Sequence, residues 1–351
     1  MSYLQSDKHS VIYQSWPEAN LEYLGRCPVC GSVQRTLLYE GLRDRVFFCA
    51  PGSWTLYRCG GCNSVYLDPR PTQDSIGMAY DQYYTHETED KNEPTNLLKR
   101  IKVIVKNGYL NRAWQTCLSP ASQELGMLLP KYKKACYDEN TMRHLPRPSD
   151  RRALLDVGCG NGRFLELASS AGWKVTGFDL DPMAVNNALS RGLDAYCGGF
   201  ETLQQVSDCF DAITVSHVIE HVYNPKELIT NCYRLLKIGG YFWIQTPNVN
   251  SYGHSEFKSD WRGLEPPRHL QLLSWSLLQG LLHEAGFKQV TPASWSPEYL
   301  SINFASKAIK HDVDARKMNP TYLDRMKSIF VESKNRIDYT RREFITFKAT
   351  K

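Results

Sequence analysis

Leu154-Leu155-Asp156-Val157-Gly158-Cys159-Gly160-Asn161-Gly162-Arg163 is an apolar run that ends in an acid and then carries glycine at every second position. Phe164-Leu165-Glu166-Leu167-Ala168 follows at helical spacing. The pattern predicts a buried parallel strand that turns tightly into a helix. The glycines let backbone approach a ligand with no Cβ in the way. The helix start offers N–H groups that lack intrahelical partners.

Such a turn by itself serves folds of several chemistries. The sequel narrows it. Trp173-Lys174-Val175-Thr176-Gly177-Phe178-Asp179 is a second apolar strand ending in an acid, and Asp179 follows Asp156 at about the 20-residue distance of a ribose-binding acid. The D-x-G-x-G-x-G spacing with Asp179 downstream resembles the class I S-adenosylmethionine-dependent methyltransferases. The resemblance implies that Asp156, Gly158, Gly160 and Gly162 shape the pocket for the methionine part and that Asp179 holds the ribose. It further implies that Leu180 and the turn at Phe200 and Glu201 lie against the adenine, with Ser216 and His217 closing the pocket.

From Arg151 onward the same architecture continues in order. A helix from Ala184 to Arg191 follows Asp181-Pro182-Met183, with proline where its missing N–H is harmless. Strands are expected at Leu193–Cys197, Phe210–His217, Tyr241–Asn248 and Phe287–Val290. Helices are expected at Pro225–Leu236, stopped by Lys237-Ile238-Gly239-Gly240, and at Trp275–Ala285, stopped by Gly286. Arg342–Lys348 is the last strand, antiparallel by the resemblance. Alternating strands and helices predict an α/β fold, a Rossmann-like seven-stranded methyltransferase sheet with its site at the carboxyl ends of the strands.

The chain has 351 residues, enough for more than one domain. Its 42% hydrophobic and 23% charged residues are ordinary for a soluble protein. No apolar run approaches the roughly 20 residues that span a bilayer, and Met1–Lys8 has no apolar signal core. A net charge of +5 permits anionic partners without indicating nucleic acid. Of eleven cysteines, Cys159, Cys197, Cys209 and Cys232 lie singly in expected strands and helices, which fits a reducing cytoplasm.

Cys27-Pro28-Val29-Cys30 and Cys59-Gly60-Gly61-Cys62 are paired C-x-x-C knuckles with strand-like segments between and after them. Four thiolates close a tetrahedral sphere, so a structural zinc ribbon is expected. Cys49 lies between the knuckles as a bystander. Arginine is in mild excess around the ribbon, but no aromatic–basic stripe marks a nucleic-acid platform.

The expected organisation is a zinc ribbon with its N-terminal extension over 1–72, a mostly helical connector over 73–150 and the methyltransferase domain over 151–351. Helices from about Asn96 to Tyr137 are expected to break near Asn107-Gly108, Ser119-Pro120 and Pro130. Leu97, Leu98, Ile101, Ile104 and Val105 share one apolar face, with Lys99, Arg100, Lys102 and Lys106 largely opposite. Packing on a neighbouring helix is preferred to peripheral contact with an anionic membrane. The ribbon, the Tyr-rich segment Tyr80-Asp81-Gln82-Tyr83-Tyr84 and the core together resemble bacterial zinc-ribbon-bearing methyltransferases. The most distinctive matching stretch is Trp261–Leu270. The resemblance associates such proteins with surface-polysaccharide biosynthesis.

His217-Val218-Ile219-Glu220-His221 spells H-x-x-E-H, but it ends a strand, where a zinc-protease motif needs a helix. In related quinone-biosynthesis O-methyltransferases acids and a histidine at these positions hold a divalent ion. Glu220 and His221 match them and His217 replaces an acid, so loop bracing is preferred to an active-site metal. The long connection from Asn248 to His269 reads as a lid. Trp261, Arg262, Glu265 and Arg268 are its candidate sugar-binding residues; His269, then His254, are its candidate bases, and His217 is a further catalytic candidate. A charged helix from about Asn319 to Ile337 lies in an insertion over 294–340 that would close over substrate or pair two copies. The expected activity is methyl transfer from S-adenosylmethionine to a hydroxyl of a sugar or glycan precursor. The rivals are RNA methylation read by the ribbon, quinone-type O-methylation, and a cofactor-binding partner protein without turnover.

Overall fold

A computed structural model describes residues 10–80, 96–148, 152–313 and 319–351. The start of the chain at 1–9, the Tyr-rich stretch from 81 and the boundary at 149–151 lie outside the described residues. Short strands build the amino-terminal part: β1 (Leu21–Glu22), β2 (Arg35–Leu42), β3 (Trp54–Cys59), β4 (Val65–Leu67) and β5 (Arg70–Pro71). The connector holds α1 (Leu97–Trp114), α2 (Gln123–Met127) and α3 (Lys131–Asn140).

The expected break at Asn107-Gly108 does not occur; α1 runs straight through it. A Cβ on Gly108 would fall 1.7 Å from the Ser122 carbonyl oxygen, and one on Gly126 would fall 2.2 Å from the Tyr109 nitrogen. These two glycines let α1 and α2 touch backbone to backbone, so Gly108 serves packing rather than termination. Tyr109, Leu110 and Trp114 at the end of α1 are buried. Leu97, Leu98 and Ile101 at its start remain exposed.

The main sheet comprises β6 (Ala153–Val157), β7 (Lys174–Asp179), β8 (Ala195–Cys197), β9 (Phe210–Ser216), β10 (Leu236–Pro247), β12 (Lys288–Pro292) and β13 (Phe344–Thr350). Its order is β12-β13-β10-β9-β6-β7-β8. The five strands from β10 to β8 run parallel, whereas β13 is antiparallel to β10 and β12 to β13. Leu154, Leu155, Ile213, Val215 and Ile244 are fully buried along the centre, as strands covered on both faces require. The intervening helices are α4 (Arg163–Ser170), α5 (Pro182–Ser190) and α6 (Pro225–Leu235). Leu228, Ile229, Cys232 and Leu235 form the buried stripe of α6. The stretch Lys237–Gly240 does not stop the helix as a loop. It enters β10 directly, with a register shift against β9 between Leu236 and Tyr241.

After β10, residues 248–270 pass through the short helix α7 (Tyr252–Phe257) and reach β11 (Gln271–Leu272). β11 leaves the main sheet and pairs antiparallel with β4, Gln271 opposite Tyr66 and Leu272 opposite Val65. The second sheet is therefore β11-β4-β3-β2, three strands from the cysteine-bearing segment and one from the methyltransferase-like part. Then come α8 (Trp275–Glu284), α9 (Tyr299–Lys310) and α10 (Tyr322–Ile337). Thr321 and Asp324 form a reciprocal capping box at the start of α10. Among the described residues no helix is long and apolar enough to cross a membrane.

Candidate active site

The turn after β6 is held by two hydrogen bonds, from Gly158 N and Cys159 N to the Phe178 carbonyl (2.9 and 3.0 Å). Gly158, Gly160 and Gly162 all have left-handed φ, +71°, +52° and +79°, where a side chain is strained. A Cβ on Gly158 would meet Val218 at 2.3 Å and one on Gly162 would meet Leu193 at 2.6 Å. Gly160 differs, because nothing lies within 4 Å of where its Cβ would be. Two glycines close the turn, and the middle one leaves a face free for a ligand.

Asp179 ends β7 beside that face. Its carboxylate accepts from Gly160 N at 2.8 Å and Asp181 N at 3.0 Å. Burial pushes its pKa above the usual carboxylate range, and those N–H groups pull it back. Leu180, the next residue, is 77% exposed, an apolar surface beside the turn. Phe200 packs edge-on to Phe178 with ring centroids 4.9 Å apart. Glu201 accepts from Gly199 N, which holds the turn on the opposite side of Leu180.

Asp156 is fully buried. It accepts from Thr214 Oγ1 at 2.8 Å and pairs with Arg143, and its Oδ2 has no partner. Arg143 covers the Phe164 ring at 3.7 Å. Asp156 is therefore tied to an arginine from the turn after α3, a residue that sequence reasoning missed. A lone arginine at left-handed φ in a connector carries no pattern that marks it.

Ser216 ends β9 opposite Gln245. His217 follows at φ +54°, with its ring against Phe344 at 4.7 Å between centroids. Its Nδ1 donates to Glu220 Oε1 at 3.3 Å, and Glu220 also accepts from Thr246 Oγ1 at 2.9 Å. Hydrogen bonding and the nearby histidines hold buried Glu220 down at about 2, against a desolvation cost that acts the other way. The side chain of His217 is 37% exposed, so its Nε2 can meet a substrate.

The loop from Asn248 to His269 is no exposed lid. Trp261, Glu265, Arg268, His254 and His269 are all buried. His254 Nδ1 donates to the Val249 carbonyl (2.5 Å) and Nε2 accepts from the Tyr39 hydroxyl (3.1 Å), which leaves no nitrogen for a base. His269 Nδ1 donates to the Gly263 carbonyl at 2.8 Å, and burial lowers its pKa to about 4, too low for an effective base at neutral pH. Trp261 Nε1 donates to Glu343 at 3.1 Å, so its face is inside the protein rather than under a sugar ring. Arg268 binds Asp44 and Glu265 (2.6 and 3.0 Å), and Arg262 pairs with Glu265. These residues join the second sheet to the main domain; desolvation on both sides explains why letters typical of binding here serve structure.

His221 Nδ1 donates to the Arg268 carbonyl at 2.9 Å. Glu220, His221 and His269 bring ligand atoms within 4.8 Å of one another, a grouping the sequence did not connect. The Glu220 carbonyl accepts from Leu270 N at 2.8 Å, which braces the two segments. Cys27, Cys30, Cys59 and Cys62 form a second compact group. Cys27–Cys62 and Cys30–Cys59 sulfurs lie 3.7 and 3.5 Å apart, against about 3.8 Å for tetrahedral zinc–thiolate bonds. Gly61 N points at Cys59 Sγ (3.3 Å). The four residues fit a zinc ion. Cys49 is instead buried beside Asp44 and Arg268.

Residues 131–291 match the family described as a methyltransferase domain. This segment carries a methyltransferase domain. Its match begins in α3 and so includes Arg143, and it ends before α9 and α10. The mitochondrial ubiquinone biosynthesis O-methyltransferase of Rattus norvegicus is 29% identical over 193 residues, 47% of this chain and 55% of the relative. The ubiquinone biosynthesis O-methyltransferase of Xanthomonas oryzae pv. oryzae is 38% identical over 102 residues, 27% of this chain and 43% of the relative. The chain thus spans about half the length of the curated relatives it matches. A SAM dependent methyltransferase from Archaeoglobus fulgidus has 22% identity and a TM-score of 0.44, covering 69% of this chain and 97% of that one.

Proposed function

We propose that the protein is an S-adenosylmethionine-dependent methyltransferase acting on a hydroxyl of a small molecule. The observation that carries the reading is the cradle at Gly158, Gly160 and Gly162, open only at Gly160, with Asp179 beside it at the strands' carboxyl edge. The cofactor supplies an activated methyl group when bound. Gly160 admits it, Asp179, Leu180 and Phe200 flank the nucleoside end, and Arg143 with Asp156 borders the other.

His217 takes the place of His269 and His254 as base. With Nδ1–H given to Glu220, its Nε2 is left to accept the hydroxyl proton, and the Glu220 carboxylate steadies the charge that forms. Relatives named O-methyltransferases support a hydroxyl acceptor. The sugar or glycan reading loses the support of the Asn248–His269 loop, and the ribbon offers no basic–aromatic platform for RNA. A structural zinc in the four-cysteine group and a reducing, cytoplasmic setting belong to the same reading; all eleven cysteines are free.

Methyl-labelled cofactor incubated with protein and extract, then fractionated with nuclease and glycosidase, tests the acceptor class. Label in small molecules is expected, whereas nuclease-released label defeats the proposal. His217→Ala should lower turnover by about 100-fold or more while S-adenosylhomocysteine still binds. Elemental analysis should find a single zinc per chain, lost in Cys30→Ser.

A further inference from the structure

A small cavity of about 20 Å³, room for one water- or ammonium-sized group, lies at the carboxyl end of β10, next to His217 through the shared ring of Phe344. Its walls come from both ends of the domain. Glu139 ends the connector helix α3; Ser294 to Tyr299, Asn335 and Arg342 to Thr346 lie beyond the segment that matches the methyltransferase family. The insertion over 294–340 therefore forms a wall of the site.

Three carboxyl groups line the cleft, Glu139, Glu298 and Glu343, with a fourth, Glu332, directly behind. Arg342 in the lining donates through Nε and Nη1 to the carbonyls of Asn335 and Ala293, both at 3.0 Å, and Glu139 is paired with His144 at 2.6 Å. Glu332 is tied to Tyr299 N at 2.7 Å and Trp295 Nε1 at 2.9 Å. Glu343 is tied to Gly253 N at 2.7 Å and to Trp261. Glu298 has no such bonds. Its carboxylate faces the cleft and is bonded to none of the described residues. Burial and the charges of Glu139, Glu332 and Glu343 push its pKa well above the usual range.

A second observation is independent of the acids. Asn335 is 2% exposed, its amide nitrogen is committed to Glu332, and its Oδ1 has no partner. A buried, unpaired carbonyl-type oxygen carries an uncompensated desolvation cost, and Asn335 is in the lining of the cavity. Asn335 Oδ1 is an acceptor, and Glu298 becomes one when ionised, a form that its raised pKa disfavours until positive charge sits beside it. A ligand that answers both must bring donors and positive charge. A bare divalent ion answers poorly, because these carboxyls are not among the described groups compact enough to share an ion.

We propose that this cleft seats a protonated amine of the acceptor, held by Glu298 and Asn335 Oδ1. This rests on the methyltransferase reading and sharpens it. A protonated amine has three donors and no lone pair, so it anchors the acceptor while a hydroxyl elsewhere on the same molecule meets His217. The acceptor class is then a small molecule carrying both an amine and a hydroxyl.

Matched pairs of probes test it, with the protein saturated in S-adenosylhomocysteine. Glucosamine against glucose and N-acetylglucosamine, and 2-hydroxybenzylamine against 2-hydroxybenzyl alcohol, differ in positive charge within each set. Calorimetry at neutral pH should show the amine of at least one set binding ten-fold or more tighter than its neutral counterparts. Glu298→Gln should erase the preference, and Asn335→Leu should weaken it, with S-adenosylhomocysteine affinity unchanged in both. Equal or no binding across all sets overturns the proposal, as does a preference that survives in Glu298→Gln. Stoichiometric magnesium or calcium displacing the amines also overturns it. Failure to bind S-adenosylhomocysteine at all would instead sink the methyltransferase reading.

Discussion

Two clusters of buried charge sit a short way apart in this molecule and are built on opposite principles. Around Arg268, Asp44 and Glu265 face guanidinium groups, and Asp44 also accepts from the backbone nitrogens of Phe47, Cys49 and Ala50. Around Glu298, the charges of Glu139, Glu332 and Glu343 oppose its ionisation, and Arg342 offsets them only in part. Desolvated ions persist in a stable fold when paired and hydrogen-bonded. The first cluster meets that condition and locks the ribbon sheet to the main domain. In the second, Glu139, Glu332 and Glu343 are hydrogen-bonded but Glu298 is not, and a fold keeps such an unmet group mainly where something else binds.

The largest effect tests the balanced cluster. Arg268→Met leaves Asp44 and Glu265 buried with a lost partner and should cost about 3–5 kcal/mol in urea unfolding; a loss below about 1 kcal/mol would deny Arg268 its locking role. Next comes pH, where the clusters predict opposite slopes. Asp44 and Glu265 are held below the usual range by Arg268 and Arg262 despite burial. Their stabilisation is present above about pH 4.5 and is lost as pH falls.

Glu343 is pushed up to about 7 by burial. The native state then binds more protons than the unfolded chain between about pH 4.5 and 7, so stability from this group falls as pH rises through that window. The fall amounts to about 3 kcal/mol at 1.36 kcal/mol per pKa unit. Denaturation midpoints at pH 5 and 7.5 would reveal it, and Glu298→Gln should flatten the same slope. A rise in stability over that interval in the wild-type protein, unchanged in Glu298→Gln, would erase the contrast between the clusters.

Two smaller tests sharpen it. Gly160→Ala strains a left-handed residue by about 1–2 kcal/mol without a clash, so S-adenosylhomocysteine affinity should drop about ten-fold with the fold kept. Leu98 is 67% exposed, and Leu98→Ser should change stability by less than about 0.5 kcal/mol. Loss of binding to anionic vesicles in that variant would favour the membrane role set aside for α1.

Local pattern made the cofactor half legible. The glycine turn, Asp179 and the order of strands and helices depend on neighbours a few residues apart, and their geometry follows from φ and strand period alone. The four cysteines were legible for the same reason, since ligand spacing in two knuckles is a local property. His217 was visible as a candidate, but its rank above His254 and His269 came only from burial. Trp261, Arg262, Glu265 and Arg268 misled because the same side chains serve an exposed site or a buried joint, and their letters do not say which.

The sequence by itself determined an α/β methyltransferase-type sheet, the glycine-rich turn and a four-cysteine group, because each is written in short-range periodicity and spacing. Tertiary structure alone decided that β11 crosses into the ribbon's sheet and that Arg143 reaches Asp156. It also decided that Glu298 shares its surroundings with Glu139, far earlier in the chain, and with Glu343. Desolvation and charge pairing are set by which distant groups share a space, and that is where the two buried clusters acquire their opposite roles.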